Sequence, residues 1–270
     1  MSSTTFKIES GAQLLARLNR KHSIENFYPM LFGAGPKQGE VVEMFSEINV
    51  TILLYDLICE TLLPVYFGGT EIGVILYSCN GNFSYDNFVS YMRYKISTHP
   101  IILQSSVIQN FNDIQLNEIQ KKLLSNIFIA DIYDATQLYT SIHNLENVLL
   151  EHKNISMLIV DTLTAFYWTE QTHKFIKMDV YLKNLLQMIQ KASKEHKITI
   201  IYTRPEHFSS SKESIEMLES CSKLPVLEKV NYRIQIVPTE ENSKFHVNIQ
   251  SYNGIQRTQL YMDSYTIKWI

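Results

Sequence analysis

Apolar residues follow two rhythms that take turns along the chain. Short, mostly apolar runs occur at Val41 to Phe45, Ile72 to Tyr77, Asn126 to Ile132, Met157 to Val160 and Ile198 to Tyr202. Runs of that length suit strands buried on both faces of a parallel sheet. Between them the spacing changes to three and four. Asn49 to Leu63 carries Val50, Leu53, Leu54, Leu57, Ile58 and Leu62 as one wide stripe, and Pro64 stops it. The same spacing predicts helices over 84–98 (Phe88, Val89 and Met92 inward), 135–152 (Leu138, Ile142, Leu145, Val148 and Leu149) and about Met178 to His196 (Leu182, Leu185, Leu186 and Ile189). Lys191, Lys194 and Lys197 close the last of these, as its dipole favours. Near the start, Ser10 can cap a short helix bearing Leu14, Leu15 and Leu18.

From Asn231 the period becomes two. Tyr232, Ile234 and Ile236 alternate with polar residues, as do Phe245, Val247 and Ile249; Asn253-Gly254 marks a turn, and Tyr265 to Ile270 reads as a closing strand. The plan predicts an α/β fold: a mostly parallel sheet flanked by helices, with C-terminal antiparallel strands. Residues 1–38 read as a tail, short helix and linker, and 39–270 as one core domain. The Asn- and Gln-rich stretch 99–125 reads as helix with loops, and Ser209 to Ser222 as a loop holding a short helix.

Composition narrows the function classes. The chain has 270 residues, 45% hydrophobic and 19% charged, with formal net charge −3. That is globular and advertises no nucleic-acid or membrane surface, so any nucleic-acid role rests on a local site or a partner. Cys59, Cys79 and Cys221 are odd in number and widely spaced, which reads as buried thiols in a reducing compartment. No stretch approaches the ~20 apolar residues of a membrane span, and the first residues lack a signal-peptide pattern; a soluble, intracellular protein is expected. His143, His152, His173, His196, His207 and His246 show no ligand spacing and read as surface or capping residues.

Candidate chemistry centres on Met157 to Trp168, MLIVDTLTAFYW, where a buried strand runs straight into Asp161. Ligands bind at the carboxyl ends of such strands, and in P-loop proteins an Asp placed there holds Mg²⁺. An ordinary core strand ending in a turn fits the pattern equally well. Phe166, Tyr167 and Trp168, with Lys174 and Lys177 nearby, admit base stacking on single-stranded DNA or packing against the sheet edge or a partner. The leucine face of the N-terminal helix is open in the same way, to its own chain or to a neighbouring subunit.

Three stretches carry a family resemblance: ESGAQLLARL (Glu9 to Leu18), LIVDTLTAFYW (Leu158 to Trp168), and the pair GEVVEMF (Gly39 to Phe45) and LLYDLICETLLP (Leu53 to Pro64). Together they resemble the eukaryotic RecA-like recombinase paralogues. The resemblance implies a RecA-like P-loop NTPase core with Asp161 at the Walker B position. It also implies a nuclear role in homologous-recombination repair of DNA double-strand breaks. The implied partners are other recombinase paralogues, foremost the one lettered D, with DNA reached through their complex and no membrane.

The family's nucleotide site is nevertheless degraded here. A phosphate loop needs G-x-x-x-x-G-K-[ST], so that glycine backbone approaches the phosphates, Lys neutralises charge and the hydroxyl holds Mg²⁺. Ser46, Glu47, Ile48 and Asn49 separate the predicted strand from the predicted helix, with Val50 where Lys belongs, and only Thr51 matches. Asn80 stands where the recombinases place the acid that activates water, and an amide cannot take that proton. Tyr202-Thr203-Arg204-Pro205 ends the fifth strand where they carry a nucleotide-sensing glutamine, and Glu206 is a poor match. A non-catalytic adaptor without bound ATP or Mg²⁺ is therefore expected. The alternatives are a DNA-dependent ATPase with site residues supplied in trans, and a direct single-stranded DNA binder.

Overall fold

The structure is a computed structural model that describes residues 10–18, 24, 26–100, 113–171, 176–205 and 230–270. Five strands arise from the apolar runs: β1 (Val41–Ser46), β2 (Gly73–Ser78), β3 (Ile127–Asp131), β4 (Ile155–Asp161) and β5 (Thr199–Pro205). The alternating region supplies β6 (Tyr232–Pro238), β7 (Lys244–Ser251), β8 (Gly254–Met262) and β9 (Ile267–Trp269). Among the described residues these strands form one sheet in the order β3-β2-β4-β5-β1-β6-β7-β8-β9. Pairing is parallel from β3 through β6 and antiparallel from β6 to β9, as the change of period predicts.

The helices are α1 (Gly11–Leu18), α2 (Pro29–Phe32), α3 (Thr51–Leu62), α4 (Tyr85–Ser97), α5 (Asp113–Leu124), α6 (Ala135–Glu151), α7 (Tyr167–Gln171) and α8 (Met178–Ser193). One sheet face packs Val42, Met44, Leu76 and Ile159 against Leu53 and Leu57 of α3 and Phe88 of α4. The other packs Val41, Ile75, Leu158 and Val160 against Leu138 and Leu145 of α6 and Leu185 and Ile189 of α8. Burial from both sides explains why β1, β2, β4 and β5 are written as apolar runs rather than alternations, whereas β3, at the sheet edge, is only half-buried.

The element ends differ from the sequence reading where local chemistry intervenes. Helix α3 starts at Thr51 rather than Asn49, because the Asn49 side chain turns back to accept the Thr51 N–H (2.8 Å). It ends at Leu62 because Leu63 (ψ 140°) has left the helical region, as a residue before proline tends to. Helix α8 stops at Ser193, short of His196, and the last strand shrinks to Ile267–Trp269. Within 99–125 the structure describes helix over Asp113–Leu124. The segments 101–112 and Ser209 to Ser222, together with Cys221, His173, Lys174, Glu206 and His207, lie outside the described residues.

One expectation changes and two open readings are narrowed. His196 is buried (2% exposed) rather than at the surface. In α1 it is Ala16 that is buried, while Leu14, Leu15 and Leu18 remain exposed. Of the aromatic trio, Phe166 and Tyr167 belong to the core and only Trp168 (64% exposed) is at the surface. Cys59 and Cys79 are buried free thiols as expected, and burial pushes Cys79 up to about 12. No helix among the described residues is long and apolar enough to cross a membrane.

Candidate functional site

The parallel strands deliver Ser46, Ser78, Asp161 and Pro205 to the same edge of the sheet. Register sets Ser78 opposite Asp161 on the neighbouring strand. Met44 stands opposite Thr203, and Ser46 is flanked by Pro205 and Ile236. Alternation along the strands turns Ser78 and Asp161 toward the face covered by α3.

Asp161 is 3% exposed, and its Oδ1 accepts the Thr203 hydroxyl at 2.5 Å. Its backbone carbonyl accepts Cys79 N–H at 2.6 Å. Oδ2 and the neighbouring Ser78 Oγ have no hydrogen-bond partner among the described residues. Burial raises the Asp161 carboxyl above its ordinary range; the Thr203 hydrogen bond and a smaller contribution from the Asn80 side chain oppose that rise. Asn80 itself is exposed and spends its Oδ1 on the Asn82 N–H (2.9 Å).

The strand–helix junction is Glu47 to Val50, four residues, because Ser46 belongs to β1. Ser46 is buried, donates its hydroxyl to the Ile236 carbonyl (2.8 Å) and accepts the Ile48 N–H (3.1 Å). Asn49 Oδ1 accepts both the backbone N–H and the hydroxyl of Thr51, at 2.8 and 2.5 Å. Val50 and Thr51 are buried, whereas Glu47 and Asn49 face solvent. Lys177 is exposed just ahead of α8, and Trp168 stands on α7 with its ring 5.0 Å from Tyr167. Among the described residues no group of three His, Cys, Asp or Glu side chains could hold a metal ion.

A charged cluster on the opposite face escaped the sequence reading. Glu43 on β1 (2% exposed) accepts Tyr202 OH at 2.9 Å and Arg204 Nε at 2.8 Å on one oxygen. Arg233 Nε stands 2.9 Å from the other, an ion pair not aligned as a hydrogen bond. Arg204 also lies over the Phe45 ring, 4.8 Å from its centre. Burial alone would raise the Glu43 carboxyl, but Arg204 and Arg233 overcome it and hold it below the ordinary range. One signal was available: an acid inside the apolar run VVEMF demands a buried partner.

No family model matches the chain. It is 26% identical over 240 residues to the curated protein "DNA repair protein XRCC2" of Mus musculus, a likeness covering 86% of this chain and 80% of that one. That likeness supports the family resemblance carried by the three stretches quoted above, and the fold is RecA-like.

Proposed function

We propose that this chain, an XRCC2-like recombinase paralogue, acts in homologous-recombination repair of DNA as a non-catalytic adaptor within a paralogue complex. The β1–α3 junction carries the non-catalytic part of the reading. Between Ser46 and Thr51 there is neither glycine nor lysine. The Asn49 side chain occupies the first turn of α3, where a phosphate oxygen would have to sit. Ser46 turns its hydroxyl inward to Ile236, and Glu47 adds a negative charge at the mouth. These residues do not fit a nucleoside triphosphate with Mg²⁺. Without a phosphate cradle, lysine and water-activating acid, the electrostatic parts on which phosphoryl transfer depends are missing.

Asp161 then serves structure, joining β4 to β5 through Thr203. The partners on this reading are other recombinase paralogues, with the D paralogue the foremost candidate, DNA reached through their complex, and the nucleus as location. Isothermal titration of the purified chain with Mg-ATP is the direct test. No heat of binding at high micromolar nucleotide is expected, and micromolar affinity would overturn the reading. Affinity capture from the cells that make this chain should recover recombinase paralogues; their absence would remove the adaptor role.

A further inference from the structure

The last two turns of α3 carry a feature with no part in the strand edge. A cavity of about 520 Å³ opens between residues 26–30, α3, the Gly68–Thr70 turn and β9. Its floor is a charged network. Asp56 (6% exposed) accepts Tyr28 OH at 2.5 Å, Tyr91 OH at 2.6 Å and the Lys95 ammonium. Lys95 also reaches Glu60 Oε1 at 2.7 Å. Asp56 is thereby saturated. Glu60 is more open: its side chain is 31% exposed and pairs with Lys95 through Oε1.

The walls are aromatic. The Tyr28 and Trp269 rings meet edge-on, 5.9 Å apart, and the Trp269 indole N–H donates to Tyr28 OH at 3.3 Å. At the mouth Met30 is 44% exposed. Val65 and Tyr66, separated from the Gly68-Gly69 turn by the buried Phe67, are 68% and 64% exposed. The turn comes this close because Gly69 has no side chain; a Cβ there would stand 2.1 Å from the Leu63 carbonyl oxygen.

We propose that this cavity receives an arginine side chain from a partner protein, with apolar neighbours of that arginine resting on the exposed rim. Two carboxylates face one ammonium across the floor, and that ammonium is already engaged by both. The lining therefore favours a cation and repels a phosphate, which excludes nucleic acid as occupant. A guanidinium is planar and weakly hydrated; it can lie against Tyr28 or Trp269 while its fork meets the partly exposed carboxylate of Glu60. An ammonium offers neither the plane nor the fork. The apolar mouth argues for a side chain delivered on a polypeptide rather than a free small cation. This inference goes beyond the recombination reading and does not depend on it.

The chain's two tryptophans supply the test, because Trp269 lines the cavity and Trp168 lies elsewhere. The full chain, labelled with ¹⁵N on its indoles, is titrated with a capped Leu-Arg-Leu peptide and with its citrulline and lysine counterparts. A saturable shift of the Trp269 signal with Trp168 stationary is expected. Citrulline, which keeps the shape and loses the charge, should bind on the order of tenfold more weakly. Glu60→Gln should weaken the arginine peptide by a similar factor, about tenfold. No shift at Trp269, equal binding of the citrulline or lysine peptide, or equal movement of Trp168 would overturn the proposal. If Glu60→Gln fails to fold, the citrulline comparison on the unaltered protein decides alone.

Discussion

Two buried carboxylates, on opposite faces of the same sheet, have opposite electrostatic fates. Glu43 is held by Tyr202, Arg204 and Arg233, and its ionised form is favoured despite burial. Asp161 is almost equally buried but meets one hydroxyl and no cation, and its ionised form is disfavoured. An acid that serves packing alone is stable only when its charge is matched within the fold. Asp161 sits at the carboxyl edge of β4, on the same sheet edge as a β1–α3 junction that holds neither glycine nor lysine. The contrast separates an acid whose charge is matched within the fold from one whose charge is not.

The comparison can be broken at four points. Glu43→Ala leaves Arg204 and Arg233 facing an emptied position. It should cost about 3–5 kcal/mol in chemical denaturation, and a loss under about 1 kcal/mol would show that the cluster does not hold β1 to β5 and β6. Thr203→Val removes the one strong donor to Asp161 and should cost about 1–3 kcal/mol; an unchanged midpoint would mean Asp161 is satisfied some other way. Asp161→Asn should act in the opposite sense. It keeps the acceptor for Thr203 and removes the charge, so the variant should gain roughly 1 kcal/mol at pH 7.

Its pH dependence has a definite sign. The folded Asp161 carboxyl titrates above its unfolded value, so its favourable contribution is complete below the ordinary carboxylate range and is lost as pH rises through the raised value. The gain from Asp161→Asn should therefore vanish in acid. Glu43 runs the other way: its contribution is full above the ordinary range and fades as pH falls through its lowered value. Melting curves across the acid range, run on both variants, check the two signs together. The smallest effect is expected at the surface. Trp168→Ala combined with Lys177→Ala should leave single-stranded DNA affinity and its salt slope unchanged; a slope reduced by ~0.7, about one phosphate contact, would restore a direct DNA site there.

Much of the architecture was legible in the residues. Unbroken apolar runs such as MLIV, stripes such as Leu53 to Leu62, and the change of period at Asn231 each prescribe an element by local chemistry. The junction was legible as well, since its lack of glycine and lysine needs no coordinates. Helix ends were less so. Asn49 ended up outside α3 because its side chain competes for the very N–H groups that a helix start exposes. The leucines of α1 follow helical spacing, yet spacing cannot say whether a neighbour covers them, and among the described residues they stay exposed.

The sequence alone determined the strands, the helices and the lack of glycine and lysine at the β1–α3 junction, because each depends on residues adjacent in the chain. Tertiary structure decided the partners. Glu43 meets Arg204 and Arg233 only because the strand order sets β1 between β5 and β6. Thr203 faces Asp161 only because β5 lies beside β4. The cavity brings together Tyr28, Glu60 and Lys95 from the first hundred residues with Trp269 of β9. Contacts between distant segments follow from strand order and register, which no local period encodes.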